Sequence, residues 1–139
     1  MHIDWKARVG AIGLGVMMLA PGAAAGQEVS GDPAAGEQVF TRCMACHRVG
    51  PGAVNTVGPA LNGVVNQPAG SVEGFNYSDA MKNSGVTWDV EALMAFLEAP
   101  QQFLPGTRMA FPGLPEEADR ANVIAYLAQF DEEGNPAAQ

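Results

Sequence analysis

The sequence predicts an all-α fold, a small domain of three main helices whose long loops wrap around one covalently bound prosthetic group. Three observations lead there. Apolar residues recur at helical spacing in two stretches toward the C-terminus, and no stretch alternates convincingly as a strand does. The connecting segments are long and dense in turn formers, drawn from 17 glycines and 10 prolines in 139 residues. The run Cys43-Met44-Ala45-Cys46-His47 is of the kind that tethers an apolar cofactor, which would supply the core that three short helices cannot build alone.

The N-terminus precedes the domain. Met1–Arg8 carries Lys6 and Arg8, Val9–Ala20 is apolar, and Ala23-x-Ala25 suits a signal peptidase. Residues 1–26 therefore read as a secretory signal cleaved near Ala25 or Gly26, leaving a periplasmic domain over residues 27–139. An uncleaved anchor is the rival, but a spanning helix needs about 20 predominantly apolar residues, and this run is shorter and interrupted by Pro and Gly. The formal charge of the full sequence is −8, and cleavage leaves the chain slightly more acidic. Nucleic acid is excluded as a partner for so acidic a chain. His47, Cys43 and Cys46 are the only histidine and cysteines beyond residue 26, so any chemistry of these types is done by the three together.

Within the domain, Asp32-Pro33 is a helix start, because Asp accepts from free first-turn N–H groups and Pro is tolerated at the first helical position. The first helix is predicted over about 33–42, running into the cysteines. Residues 50–74 have no sustained apolar period and read as loop; such a length calls for something to wrap around. From Asp89 to Ala99, Val90, Leu93, Met94 and Leu97 recur at i, i+3, i+4 and i+7, predicting an amphipathic helix that Pro100 ends. A second loop spans 101–114. The last helix is predicted over about 115–130, opening with Glu116, Glu117 and Asp119 near its positive end and burying Val123, Ile124 and Leu127. The compact part should span about 31–130, with a frayed polar tail over 131–139.

The cysteine-x-x-cysteine-histidine motif points to c-type haem attachment: two thiols three residues apart each add to a haem vinyl group, and the adjacent imidazole reaches the iron. A structural zinc site needs four ligands, one more than these three. A thiol–disulfide pair of the thioredoxin type belongs beside a βαβ pattern, which is absent. The opposite face of the iron needs its own argument. Met44 is tethered too near the proximal side, Met94 falls on the apolar stripe of a helix, and Met81 lies in a segment without a clear pattern. Met109 is held between Pro105-Gly106-Thr107 and Phe111-Pro112-Gly113, a stiff loop suited to presenting a thioether. An iron closed by His47 and Met109 suits electron transfer; an open one would suit gas binding or catalysis.

From about Gly31 to Phe130 the chain resembles the class I c-type cytochromes, the soluble electron carriers close to mitochondrial cytochrome c. The landmarks are Gly58-Pro59-x-Leu61-x-Gly63, Phe75-x-Tyr77-Ser78, Gly85-x-Thr87-Trp88, Leu97-x-x-Pro100, Pro105-Gly106-Thr107-Arg108-Met109-x-Phe111 and Ile124-Ala125-Tyr126-Leu127, in family order. The resemblance implies a small cytochrome c fold around one haem c in thioether linkage to Cys43 and Cys46, with His47 and Met109 on iron. It implies that Pro59 accepts from the far ring nitrogen of His47, that Tyr77 and Trp88 point polar atoms at one propionate, that Thr107 bonds near the other, and that Phe111 packs beside the exposed haem edge. It further implies a monomeric carrier, not an enzyme, working between a quinol:cytochrome c oxidoreductase and a terminal oxidase or photosynthetic reaction centre.

The chain departs from the family at three positions. Phe96 stands for a usual tyrosine and Met81 for a frequent asparagine, which predicts a drier distal cavity. Gln67 stands where an arginine commonly meets the inner propionate. The basic residues beyond residue 26 are Arg42, Arg48, Lys82, Arg108 and Arg120. Arg42, Arg48 and Arg108 lie next to the haem motif or the ligand loop, predicting a small positive patch around the docking edge of an acidic body.

Overall fold

The computed structural model describes residues 28–137, so the predicted export segment lies outside the described residues. Five helices order the chain: α1 (Pro33–Phe40), α2 (Asp79–Lys82), α3 (Val90–Glu98), α4 (Pro100–Phe103) and α5 (Glu117–Leu127). Among the described residues there are no strands, only isolated antiparallel bridges at Pro68–Thr87 and Phe130–Pro136.

The carboxylate of Asp32 caps α1 by accepting from Ala34 N at 2.9 Å, and Pro33 opens it. The helix ends two residues earlier than its pattern suggested, and the chain continues in tight turns that carry the cysteines. Asp89 caps α3 in the same way, accepting from Ala92 N at 2.8 Å. α1 crosses α5 where Gly36 lies against the backbone of Asn122. A Cβ there would overlap the Asn122 carbonyl, so only glycine lets the two backbones meet. Tyr126 then stacks on Phe40 with centroids 5.4 Å apart and on Phe130 at 5.3 Å.

The core joins α1, α3 and α5 through Val39, Phe40, Leu93, Phe96, Leu97, Val123, Ile124 and Leu127, with Leu114 from the loop before α5. Each such side chain contributes about 2 kcal/mol of burial free energy. Arg120 shares the helical face of Val123, Ile124 and Leu127 and is buried with them. Its guanidinium donates to Leu114 O at 2.7 Å and Pro115 O at 2.8 Å, and Leu114 N donates to Leu97 O at 2.7 Å. These bonds hold the ends of α3 and α5 against the returning loop.

Three expectations need correction. Pro100 does not lead directly into loop: it occupies the first position of α4, where its missing N–H costs nothing, so residues 100–103 are helical. Met81 lies in α2, capped by Ser78 Oγ at 3.1 Å. The tail is not frayed over 131–137. Asp131 accepts from Glu133 N and Asn135 N through its carboxylate, Ala137 N donates to Gln129 O at 2.8 Å, and Gly134 is buried beside Gly50.

Candidate functional site

The turns after α1 present the motif. Cys43 N donates to Phe40 O at 2.8 Å, Cys46 N to Cys43 O at 3.1 Å and His47 N to Cys43 O at 2.9 Å, so successive helical turns place both thiols and the imidazole within one short segment. Both cysteines are free and half-buried, and Cys43 packs against the core cluster. Burial pushes the Cys43 thiol up, Arg42 opposes that, and Cys46 adds to it. A protonated, half-buried thiol lacks the thiolate character of a catalytic disulfide exchanger.

His47 is buried. Burial lowers its pKa below the ordinary value, and the bond to Pro59 raises it in part. Nδ1 lies 2.8 Å from Pro59 O, so the neutral ring carries its proton on Nδ1, donates to that carbonyl, and leaves the Nε2 lone pair for a metal. Gly58 sets the ring plane. A Cβ there would sit 2.5 Å from Cε1 and 2.8 Å from Nδ1 of His47, so only glycine lets the backbone come this close to the imidazole. Gly58 N also donates to Cys46 O at 2.8 Å. The loop from 50 to 63 is held by Asn62, which accepts from Gly50 N at 2.8 Å and donates to Gly50 O at 2.9 Å.

The distal wall comes from α2 to α4 and the loop after them. Trp88 is buried and packs on Phe96, centroids 4.8 Å apart, and on Phe103 at 6.3 Å. Met81, Met94, Leu104, Met109 and Phe111 are half-buried against the same cluster as Cys43. Tyr77 Oη accepts from Val72 N at 3.1 Å, which leaves its own proton free to donate; burial raises its pKa, the Val72 bond lowering it in part. Thr107 is 7% exposed, and its hydroxyl accepts from Met109 N at 3.4 Å. Arg108 donates to Tyr77 O at 2.7 Å.

Several contributors escaped sequence reasoning. Gln101 donates from Nε2 to Thr107 O at 3.1 Å and to Met109 O at 3.0 Å. Asn55 accepts from Ala60 N at 2.9 Å and donates to Glu73 O at 3.0 Å. Such amide bridges are side chain to backbone over varied separations and leave no periodic trace. The arginines expected to form a free patch are also partly engaged. Arg42 Nη1 lies 3.4 Å from Asp119 Oδ2, the pair 57% and 30% exposed. Arg48 donates to Met44 O and to His47 O.

These residues fit a covalently held haem: two accessible thiols, an imidazole with one nitrogen committed and the other free, a backbone cradle under its ring, and an apolar wall bearing a half-buried thioether. Cys43 and Cys46 would hold the porphyrin and His47 the iron. Among the described residues no three His, Cys, Asp or Glu side chains converge as an ion site, and no helix is long and apolar enough to cross a membrane.

The sequence matches the family described as Cytochrome c over residues 33–131. It is 59% identical over 106 residues to cytochrome c2 of Rhodoblastus acidophilus, covering 76% of this chain and 99% of that protein. It is 52% identical over 111 residues to cytochrome c-554 of Methylosinus trichosporium, covering 79% and 84%. The solved structure of cytochrome c2 from Rhodospirillum centenum superposes with a TM-score of 0.70 at 46% identity, covering 73% of this chain and 99% of that one. The chain therefore belongs to the cytochrome c family, class I, and is an electron carrier with covalently bound haem c rather than an enzyme.

Proposed function

We propose that this chain is a periplasmic one-electron shuttle, exported by cleavage of residues 1–26, whose haem iron is closed by His47 and Met109. The observation that carries it is the placement of Met109, half-buried against the same apolar cluster as Cys43 on a loop tied at both Thr107 and Tyr77. Haem c supplies the reversible one-electron iron couple. The protein's part is to keep its ligands still. Pro59 O fixes the His47 tautomer, Gly58 fixes its ring plane, and the distal loop holds the thioether while Trp88, Phe96 and Phe103 exclude water. Phe96 and Met81 present no hydrogen-bonding group there, which favours a dry distal side. Tyr77, Trp88 and Thr107 serve as propionate donors.

Docking to membrane redox complexes, a quinol:cytochrome c oxidoreductase on one side and an oxidase or photosynthetic reaction centre on the other, uses the edge near Phe111. Arg48 and Arg108 keep their full charge there because their partners are neutral carbonyls, whereas Asp119 offsets Arg42. Steering is correspondingly weak but positive in an acidic body.

The test is spectroscopic. The oxidised protein should show the weak long-wavelength band of methionine–iron ligation, and Met109→Ala should abolish it while haem attachment persists. A band that survives in that variant overturns the assignment. Electron-transfer rates that ignore ionic strength would remove the arginine steering.

A further inference from the structure

We propose that Gln101 is a positioning residue for Met109, a neutral clamp that fastens the ligand loop to α4; this rests on the ligation reading above. Both hydrogens of one planar nitrogen are used, one on Thr107 O at 3.1 Å and one on Met109 O at 3.0 Å. The two carbonyls flank Arg108, so a single side chain fixes the backbone on either side of it and sets where the Met109 side chain departs. Gln101 is exposed, but its backbone is placed in α4 immediately after buried Pro100.

The loop needs such a fastening. Among the described residues, no backbone N–H from Arg108 to Gly113 donates to a backbone carbonyl. The remaining ties are the 3.4 Å bond from Met109 N to Thr107 Oγ1, at the long limit of a hydrogen bond, and the exposed Arg108 bond to Tyr77 O. Two N–H···O=C bonds of ordinary length are therefore a large share of what holds the segment. Gln102, one residue further on, is exposed like Gln101 but bonds to neither carbonyl, so it serves as a control.

The experiment uses holoprotein. Imidazole is titrated into oxidised wild type, Gln101→Leu and Gln102→Leu, with loss of the methionine–iron band as the signal, and amide hydrogen exchange of residues 107–111 is followed in parallel. Losing the two bonds should favour displacement of the thioether, so Gln101→Leu binds imidazole about tenfold more tightly and its loop amides exchange faster, while Gln102→Leu matches wild type. Wild-type affinity in Gln101→Leu overturns the clamp, even if thermal stability falls. A wild type that lacks the band overturns methionine ligation itself, and a change shared equally by both glutamine variants assigns the effect to the helix surface instead.

Discussion

The two sides of the site are held by different means. On the side of His47, anchoring is buried and mostly backbone: turns from Phe40 to His47, the carbonyl of Pro59, and Gly58 against the ring, with buried Asn62 holding the loop at Gly50. On the side of Met109, anchoring is distant and made by side chains: Gln101, Arg108 reaching Tyr77, and the hydroxyl of Thr107. A segment fixed by its own backbone tolerates little substitution and moves little. One fixed by a few side chains, two of them exposed, can be loosened in steps. Under the ligation proposed above, that difference pairs a firmly anchored histidine with a thioether held on a looser loop.

The largest expected effect tests the backbone side. In Gly58→Ala the new methyl would overlap the His47 ring, which its bond to Pro59 O holds in place, so the cost should be about 3 kcal/mol. Urea denaturation and the yield of haem-bearing protein measure it; a variant as stable as wild type would show that the contact is not fixed.

Next is Asn62→Ala, which leaves the N–H and carbonyl of buried Gly50 without their side-chain partner. Stranding the buried Gly50 N–H, while its carbonyl keeps only the bond from Ala53 N, should cost about 2 kcal/mol, read from the same denaturation curves. Gly134 lies beside Gly50, so the returning tail should exchange its amides faster in this variant.

On the distal side a single tie should matter less. Arg108→Ala removes one exposed bond to Tyr77 O, worth about 1 kcal/mol or less. If it cost as much as Asn62→Ala, the contrast between the two sides would fail.

The same contrast explains what the sequence disclosed. The motif Cys43, Cys46 and His47 was legible because its chemistry demands fixed spacing, and the landmarks up to Met109 came from resemblance to the family. The three main helices followed from apolar period and from the Asp32-Pro33 start. The partners of Arg120 were not legible: spacing puts it on the face of Val123, Ile124 and Leu127, but the loop carbonyls of Leu114 and Pro115 that receive its charge carry no residue identity. Gln101 and Asn62 were invisible for a related reason: their partners are backbone atoms, which carry no residue identity. The tail read as polar and frayed because its order comes from turn bonds of Asp131 and from backbone pairing of Ala137 with Gln129, and from the approach of Gly134 to the distant Gly50, none of which leaves an apolar period.

The smallest effect separates the two sides by pH. Burial raises the pKa of Tyr77 on the distal side, and burial followed by the nearby Glu37 raises that of Tyr126 behind the proximal helix. Below the ordinary value of about 10, both folded and unfolded chains keep these protons and neither tyrosine affects the balance. As pH rises past that value the unfolded chain releases them first, so stability falls until the folded tyrosines also ionise. Tyr77→Phe and Tyr126→Phe should each flatten that alkaline decline. Denaturation midpoints between about pH 9 and pH 12 measure the slopes. The exchange of the 107–111 amides tells the sides apart: it should become less pH-sensitive, beyond the ordinary base catalysis of exchange, in Tyr77→Phe alone, because ionisation of the Tyr77 hydroxyl, bonded to Val72 N, disturbs the segment whose backbone carbonyl accepts from Arg108. Equal changes in both variants would mean that alkaline loosening is global and that the distal side has no separate weakness.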